Sequence, residues 1–226
     1  MGTVVVNRVR SAGAKETLMA PDRIVLVVDD DPRMRKSLEG LLNSIGIANM
    51  VFASASEYLT AQKPDVISCL LLDVNLPDLS GLELQERLAQ GEHPPIIFIT
   101  GYGDIPSSVK AMKAGAVDFL PKPFQQQDLV RAIREAFDRA EKARKQHAEI
   151  AELRGRYDRL TPREREVLPL IIGGLLNKQA AAELGIAEIT CQVHRGQIMR
   201  KMAAGSLAEL VRMAAKLGIS PVGQTS

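Results

Sequence analysis

Five short apolar runs punctuate the first half of the chain, at 24–28, 49–52, 69–72, 95–100 and 117–120. They do not alternate with polar residues. Ile24-Val25-Leu26-Val27-Val28 and Cys69-Leu70-Leu71-Leu72 are apolar throughout. Runs this continuous read as strands buried on both faces, as in a parallel sheet covered by helices. Helical signals fill the gaps. Asp31 is placed to cap a helix that has Pro32 at its first position, runs over 34–45 and stops at Gly46. Ser54 with Glu57, and Ser80 with Glu83, have the Ser-x-x-Glu spacing of capping boxes. Gly101–Gly103 reads as a turn, 105–114 as a helix, and a fifth helix begins near Gln127. Strict β-α alternation predicts a five-stranded, parallel, doubly wound α/β sheet with right-handed crossovers.

The pattern then changes. From Asp128 to Arg156 there is no proline, and no glycine before Gly155. Ile133, Ala136, Ala140, Ala143, His147, Ile150, Arg154 and Tyr157 follow three- and four-residue steps, a heptad stripe that is small or polar at most positions. Two readings stand: a long exposed helix that pairs weakly with its twin, and a solvated linker helix.

Beyond it the spacing predicts four short helices. Thr161-Pro162-Arg163-Glu164 is a capping box with proline at the first helical position, and Pro169 interrupts the helix that follows. Asn177 is placed to cap a helix over 178–184, which stops at Gly185. A third helix covers 188–202, and Ser206 with Glu209 opens a fourth that ends at Gly218. A tight Gly-Ile turn between the second and third matches a helix-turn-helix unit. The expected organisation is a disordered arm over 1–21, an α/β core over 22–125, a fifth helix running into a linker over 126–157, and an all-α four-helix domain over 158–220.

Charge sharpens the division. Residues 22–124 hold 9 Lys/Arg against 14 Asp/Glu, a net of −5, whereas 155–226 hold 10 against 6, a net of +4. The basic half is the nucleic-acid candidate. No apolar stretch is long enough to span a bilayer and none looks like a signal peptide, so no membrane partner is expected. Cys69 and Cys191 fall in different domains, which argues against a disulfide framework and fits a reducing cytoplasm. Cys191 reads either as a redox handle or as a small apolar filler.

The candidate chemistry lies on one sheet edge. Asp29, Asp30 and Asp31 leave the carboxyl end of the first strand, and Asp73 leaves the third. Thr100 and Lys122 end or follow strands four and five. Clustered carboxylates repel unless a cation intervenes, and their hard oxygens suit Mg²⁺. An aspartate can attack a phosphoryl donor, and a nearby ammonium would offset the charge on the transferred oxygens. Each residue alone also has a local reading, as turn chemistry or a solvated charge.

Val27-Val28-Asp29-Asp30-Asp31, Leu72-Asp73-Val74-Asn75-Leu76-Pro77, Ile99-Thr100-Gly101 and Phe119-Leu120-Pro121-Lys122-Pro123-Phe124 resemble the motifs of two-component receiver domains, which have a flavodoxin-like fold. The resemblance implies that Asp73 accepts phosphate from a histidine kinase. It implies that Asp29, Asp30, Asp73 and the Asn75 backbone carbonyl surround Mg²⁺, and that Thr100 and Lys122 bind phosphoryl oxygens. Phe119 falls at the aromatic switch position, answering Thr100, and Lys122-Pro123 is expected to be cis.

In the second half, Leu160-Thr161-Pro162-Arg163-Glu164, Gly174-Leu175-Leu176-Asn177-Lys178, Val193-His194-Arg195 and Ile198-Met199-Arg200-Lys201-Met202 resemble the LuxR-type helix-turn-helix domain. The whole then resembles a response regulator of the FixJ type. This implies a phosphorylation-controlled DNA-binding transcription regulator with a recognition helix over 188–202. Gln192, Val193, Arg195, Gly196 and Gln197 would face the major groove, and Lys178, Thr190, Arg200 and Lys201 would touch phosphates. Val193, Ile198 and Met202 have a second reading as core. Ala187 stands where a capping Ser is common, and Ile189, Cys191 and Gln192 where Arg, Val and Lys are common. The implied partners are a histidine kinase, an operator in duplex DNA, RNA polymerase, and a second copy paired through the helix 4–strand 5–helix 5 face and the linker helix.

Two other classes compete with this reading. An Mg²⁺-dependent phosphatase acting through an aspartyl phosphate often carries an acid two residues after the nucleophile, where this chain has Asn75. No enzyme activity is expected beyond slow self-dephosphorylation. A pure relay whose basic domain binds only protein would lack the steep salt dependence of DNA binding.

Overall fold

The structure is a computed structural model and describes residues 22–101 and 105–222. The expected arm at 1–21 and most of the Gly101–Gly103 turn lie outside the described residues. The chain divides into two compact units, between Arg144 and Lys145.

In the first unit, β1 (Arg23–Val28), β2 (Ala48–Phe52), β3 (Ile67–Asp73), β4 (Ile96–Thr100) and β5 (Asp118–Pro121) form one parallel sheet in the order β2-β1-β3-β4-β5. Between them run α1 (Pro32–Ser44), α2 (Ala55–Thr60), α3 (Gly81–Leu88) and α4 (Ile105–Lys113), and α5 (Gln126–Asp158) follows. Alternate residues of each strand feed opposite faces. Leu26, Val28, Leu70, Leu72 and Phe98 pack with Tyr58, Leu84 and Ala111 on the face covered by α2, α3 and α4. Val25, Val27, Leu71, Ile97 and Ile99 pack with Leu38, Leu42, Leu129 and Ile133 on the face covered by α1 and α5. Both faces being covered is why these strands read as unbroken apolar runs.

Asp31 caps α1, its carboxylate accepting from the Arg33 N–H at 2.8 Å. Ser80 with Glu83 and Thr161 with Glu164 close reciprocal boxes. The other two expected boxes close only one arm. Ser54 and Ser206 accept from the N–H groups of Glu57 and Glu209, but those carboxylates take the N–H of Ala53 and Gly205, one residue upstream. Backbone rotation explains the difference. The capping φ is −60° and −66° at Ser80 and Thr161, but −156° and −152° at Ser54 and Ser206, which turns the cap's own N–H out of reach.

α5 is a single helix, but its 142–152 stretch is exposed on every side. Ile133 and Ala136 of the heptad stripe are buried against the sheet, whereas His147, Ile150 and Arg154 are exposed.

The second unit comprises the end of α5 with α6 (Pro162–Ile172), α7 (Asn177–Leu184), α8 (Glu188–Met202) and α9 (Leu207–Lys216). Val167, Leu168, Ile171, Cys191, Ile198, Met202 and Leu210 form its core. α6 runs three residues past Pro169, whose missing N–H costs one helical bond without ending the helix. The Pro169 carbonyl accepts from both Gly173 and Val222, the latter at 3.0 Å, so the C-terminal segment lies against the end of α6. A Cβ at Gly173 would stand 2.1 Å from the Val222 carbonyl oxygen, so only glycine admits that segment.

Asn177 does not cap α7. The helix begins at Asn177 and Leu176 holds the cap position without a side-chain bond. Gln179 accepts the Leu176 N–H instead, and the Asn177 side-chain oxygen accepts from Arg195 at 3.3 Å. α8 likewise starts behind Ala187 with no side-chain cap.

Candidate functional site: an acidic sheet edge and a basic helix pair

The parallel order brings the carboxyl ends of β1 and β3 side by side, with β4 and β5 beyond β3. Asp29 follows β1 and Asp73 ends β3, exposed by only 1% and 6%. Asp30 is exposed above them. One carboxylate oxygen from each of these three aspartates lies within 4.8 Å of the others. The Lys122 ammonium, just past β5, donates to Asp29 Oδ2 at 2.7 Å and to Asp73 Oδ2 at 2.6 Å. The remaining oxygens are held by the main chain, Asp29 Oδ1 by the Asp31 N–H at 2.9 Å and Asp73 Oδ1 by the Asn75 N–H at 3.0 Å.

Burial raises the Asp29 pKa, against the hydrogen bond and charge of Lys122. Burial also works against the charged Lys122, but its bonds to Asp29 and Asp73 outweigh this and raise its pKa. One ammonium thus serves two carboxylates, and the third, on Asp30, faces solvent.

Thr100 ends β4, fully buried, and its carbonyl accepts the Lys122 N–H at 2.6 Å, so the two sit on paired strand ends. The Lys122-Pro123 peptide is cis. Phe119 is half-buried, its ring centre 6.1 Å from that of Phe98 on β4. Asn75 is exposed on the loop after β3.

Three contributors were not picked out from sequence. Arg35 of α1 donates to the carbonyls of Asp29 and Asp30 at 2.7 and 2.9 Å and fixes the acidic loop. Asp78 accepts from the Ala55 and Ser56 N–H groups and from the Ser56 hydroxyl, pinning the loop after Asp73 to the start of α2. Those bonds, the Ser56 hydroxyl first, hold its carboxyl down at about 2. Gly81 opens α3 against the backbone of Asp73, where a Cβ would meet the Asp73 carbonyl oxygen at 2.3 Å. Asp78 and Ser56, 22 residues apart, leave no local signal, and Arg35 reaches back five and six residues to carbonyls that no sequence motif marks; Gly81, directly after the Ser80 cap, did leave one.

In the helical unit, α8 presents Thr190, Gln192, Val193, Gly196 and Arg200 to solvent, and α7 presents Lys178. Val193 is 55% exposed, which settles its reading against core, whereas Ile198 and Met202 are fully buried. Arg195 and Gln197 are half-exposed and already engaged, with Asn177 and with Arg200. Lys201 turns inward. Its ammonium lies 2.9 and 2.6 Å from the two oxygens of Glu164, which is 3% exposed. Burial opposes ionisation of Glu164, but the bonds from Lys201 and Thr161 prevail and hold its pKa below the usual range. Cys191 is wholly buried in the core, the filler rather than the handle, and burial raises its thiol pKa.

Comparison with known proteins bears on both sites. Residues 25–134 match the response regulator receiver domain, and residues 158–214 match the bacterial regulatory proteins of the luxR family. Nodulation protein W of Bradyrhizobium diazoefficiens is 54% identical over 198 residues, covering 87% of each chain. The solved structure of response regulator StyR superposes with a TM-score of 0.73 at 46% identity, covering 86% of this chain and 99% of that one. Full-length FixJ from B. japonicum gives a TM-score of 0.53 at 42% identity, covering 88% and 99%.

Proposed function

The chain belongs to the response regulators of the FixJ type, a receiver domain joined to a LuxR-type DNA-binding domain, and from that premise we propose that Asp73 is its phosphoacceptor. The observation that carries this is the pair of contacts from one ammonium to Asp29 and Asp73. They leave Asp73 buried with a cation at its side, placed to act as a nucleophile. An oxygen of Asp73 attacks the phosphorus of a phosphohistidine on the partner kinase. A P–O bond forms, the P–N bond breaks, and the imidazole takes up a proton as it leaves. Lys122 and Thr100 then hold phosphoryl oxygens.

The donor set fits Mg²⁺: hard carboxylate oxygens converge where Lys122 offsets only part of their charge. Asp29, Asp30, Asp73 and the Asn75 carbonyl would hold it, and when bound it supplies positive charge beside the phosphoryl group. Asp29 orients Lys122 and Arg35 fixes the loop that carries both acids. Asn75 offers no general acid, so the acyl phosphate is lost only by slow hydrolysis. Thr100 moving toward the phosphoryl group gives Phe119 room to turn in, a shift between two populated states. The surface of α4, β5 and α5 then favours pairing with a second copy; Val109 and Met112 of α4 are each 45% exposed there.

The transcription regulator binds its operator, in this reading, through Gln192, Val193, Arg195, Gly196 and Gln197 in the groove, with Lys178, Thr190 and Arg200 toward phosphates. It works in the cytoplasm, in boundaries of 22–125, 126–157 and 158–220. Intact-mass measurement after acetyl phosphate and magnesium tests the core of this: one phosphoryl group is expected on the native chain and none on Asp73→Asn. Equal uptake by the variant would assign the chemistry elsewhere.

A further inference from the structure

α8 carries two large apolar side chains in open solvent, Ile189 at 66% exposure and Val193 at 55%. Scattered exposed apolar residues need no explanation. These two stand one helical turn apart on one face, in line with Gln192 and Gly196. At Gly196 a Cβ would meet nothing within 4 Å, so the stripe is open along its length. The opposite face is the core, where Cys191, Ile198 and Met202 are buried. The first turn of the helix is Glu188, Ile189 and Thr190, with an acid and no cation. Thr190 is therefore the one side chain of that turn suited to a phosphate, and the apolar pair is set among side chains that suit base edges.

We propose that Ile189, together with Val193, reads thymine by packing against its C5-methyl groups in the major groove. The inference rests on the DNA-binding reading of α8 and names what that face selects. The major groove offers one apolar feature that differs between bases, the thymine methyl, and the early residues of a recognition helix are those that reach base edges. Gln192, between the two on the same face, is chemically matched to the adenine of a neighbouring pair. The face as a whole thus prefers A·T pairs, with Arg200 left for the backbone further along the helix.

The test uses the full chain loaded with beryllium fluoride and magnesium. Duplexes are selected from a random library, and each thymine of the selected site is then replaced by uracil, which removes the methyl and keeps the pairing. We expect a three- to fourfold loss of affinity at one or two thymines, the ratio for withdrawing one buried methyl-sized group. The loss at one of them should vanish in Ile189→Ala, and at another in Val193→Ala. Both side chains are exposed, so neither change should impair folding. Uracil tolerated at every position overturns the proposal, as do penalties that persist in both variants. A lower dimer fraction in Ile189→Ala with the uracil penalty intact would assign the pair to self-association instead. Selection of no duplex at all would remove the DNA-binding reading itself.

Discussion

Lys201→Met separates two roles for one side chain. The basic run Arg200-Lys201 suggests a phosphate contact, but the folded chain spends Lys201 on Glu164. Glu164 is buried and also closes the cap of α6, accepting the Thr161 N–H at 2.8 Å. Withdrawing the ammonium leaves a buried carboxylate with only the neutral donors of Thr161. Breaking such a pair costs about 3–5 kcal/mol, and the lower end applies because the Lys201 side chain is 23% exposed. For a unit of this size, about 3 kcal/mol lowers Tm by roughly 12–24 °C. The assay is thermal unfolding of the full chain by circular dichroism, with hydrogen exchange confined to amides of α6 to α9. Adding Glu164→Gln should return part of the loss, since the uncompensated charge goes with it. The acid dependence has a definite sign. The folded pKa of Glu164 is lowered, so the pair's stabilisation is complete above the ordinary value of 4.5 and is lost as pH falls through the folded value. An unchanged Tm, with the salt slope of DNA binding reduced by about one, would refute this reasoning and restore Lys201 to the phosphates.

The Asp78 clamp should weaken in acid, its contribution present above the ordinary carboxyl value of 3.8 and lost as pH falls toward about 2; the protection of the Ala55 and Ser56 amides relative to their intrinsic exchange rates should fall over that window, and in Asp78→Ala at neutral pH. Gly81→Ala should cost about 1–3 kcal/mol in urea unfolding and slow phosphoryl uptake, because the Asp73 carbonyl must retreat from the new methyl. Unaltered uptake would place α3 further from the nucleophile than its backbone now stands. Cys69 and Cys191 are both fully buried, and burial raises both thiols, so native protein should resist a thiol reagent that labels both after denaturation.

The sheet was legible because each strand sits between two helical layers, leaving no polar residue to break runs such as Cys69-Leu70-Leu71-Leu72. Asp29, Asp73, Thr100 and Lys122 were legible because a parallel sheet puts all its carboxyl ends on one edge. What stayed hidden lies in partners set by tertiary distance. Asp78 meets Ser56 across 22 residues and Lys201 meets Glu164 across 37. Spacing alone also overstated two capping boxes, since Ser-x-x-Glu fixes which residues are near but not the backbone angle that decides which N–H is taken. Asn177 has the residue type of a cap, yet its side chain answers to Arg195 from the next helix.

The docking of Val222 on Pro169 has a practical side. Whatever is fused behind Ser226 begins only four residues beyond an anchored peptide, and trimming the chain before Pro221 strips a hydrogen-bond donor from α6. Purification handles therefore belong at the other terminus, and a shortened clone that binds operator weakly should be checked for a loosened α6 before its recognition helix is blamed.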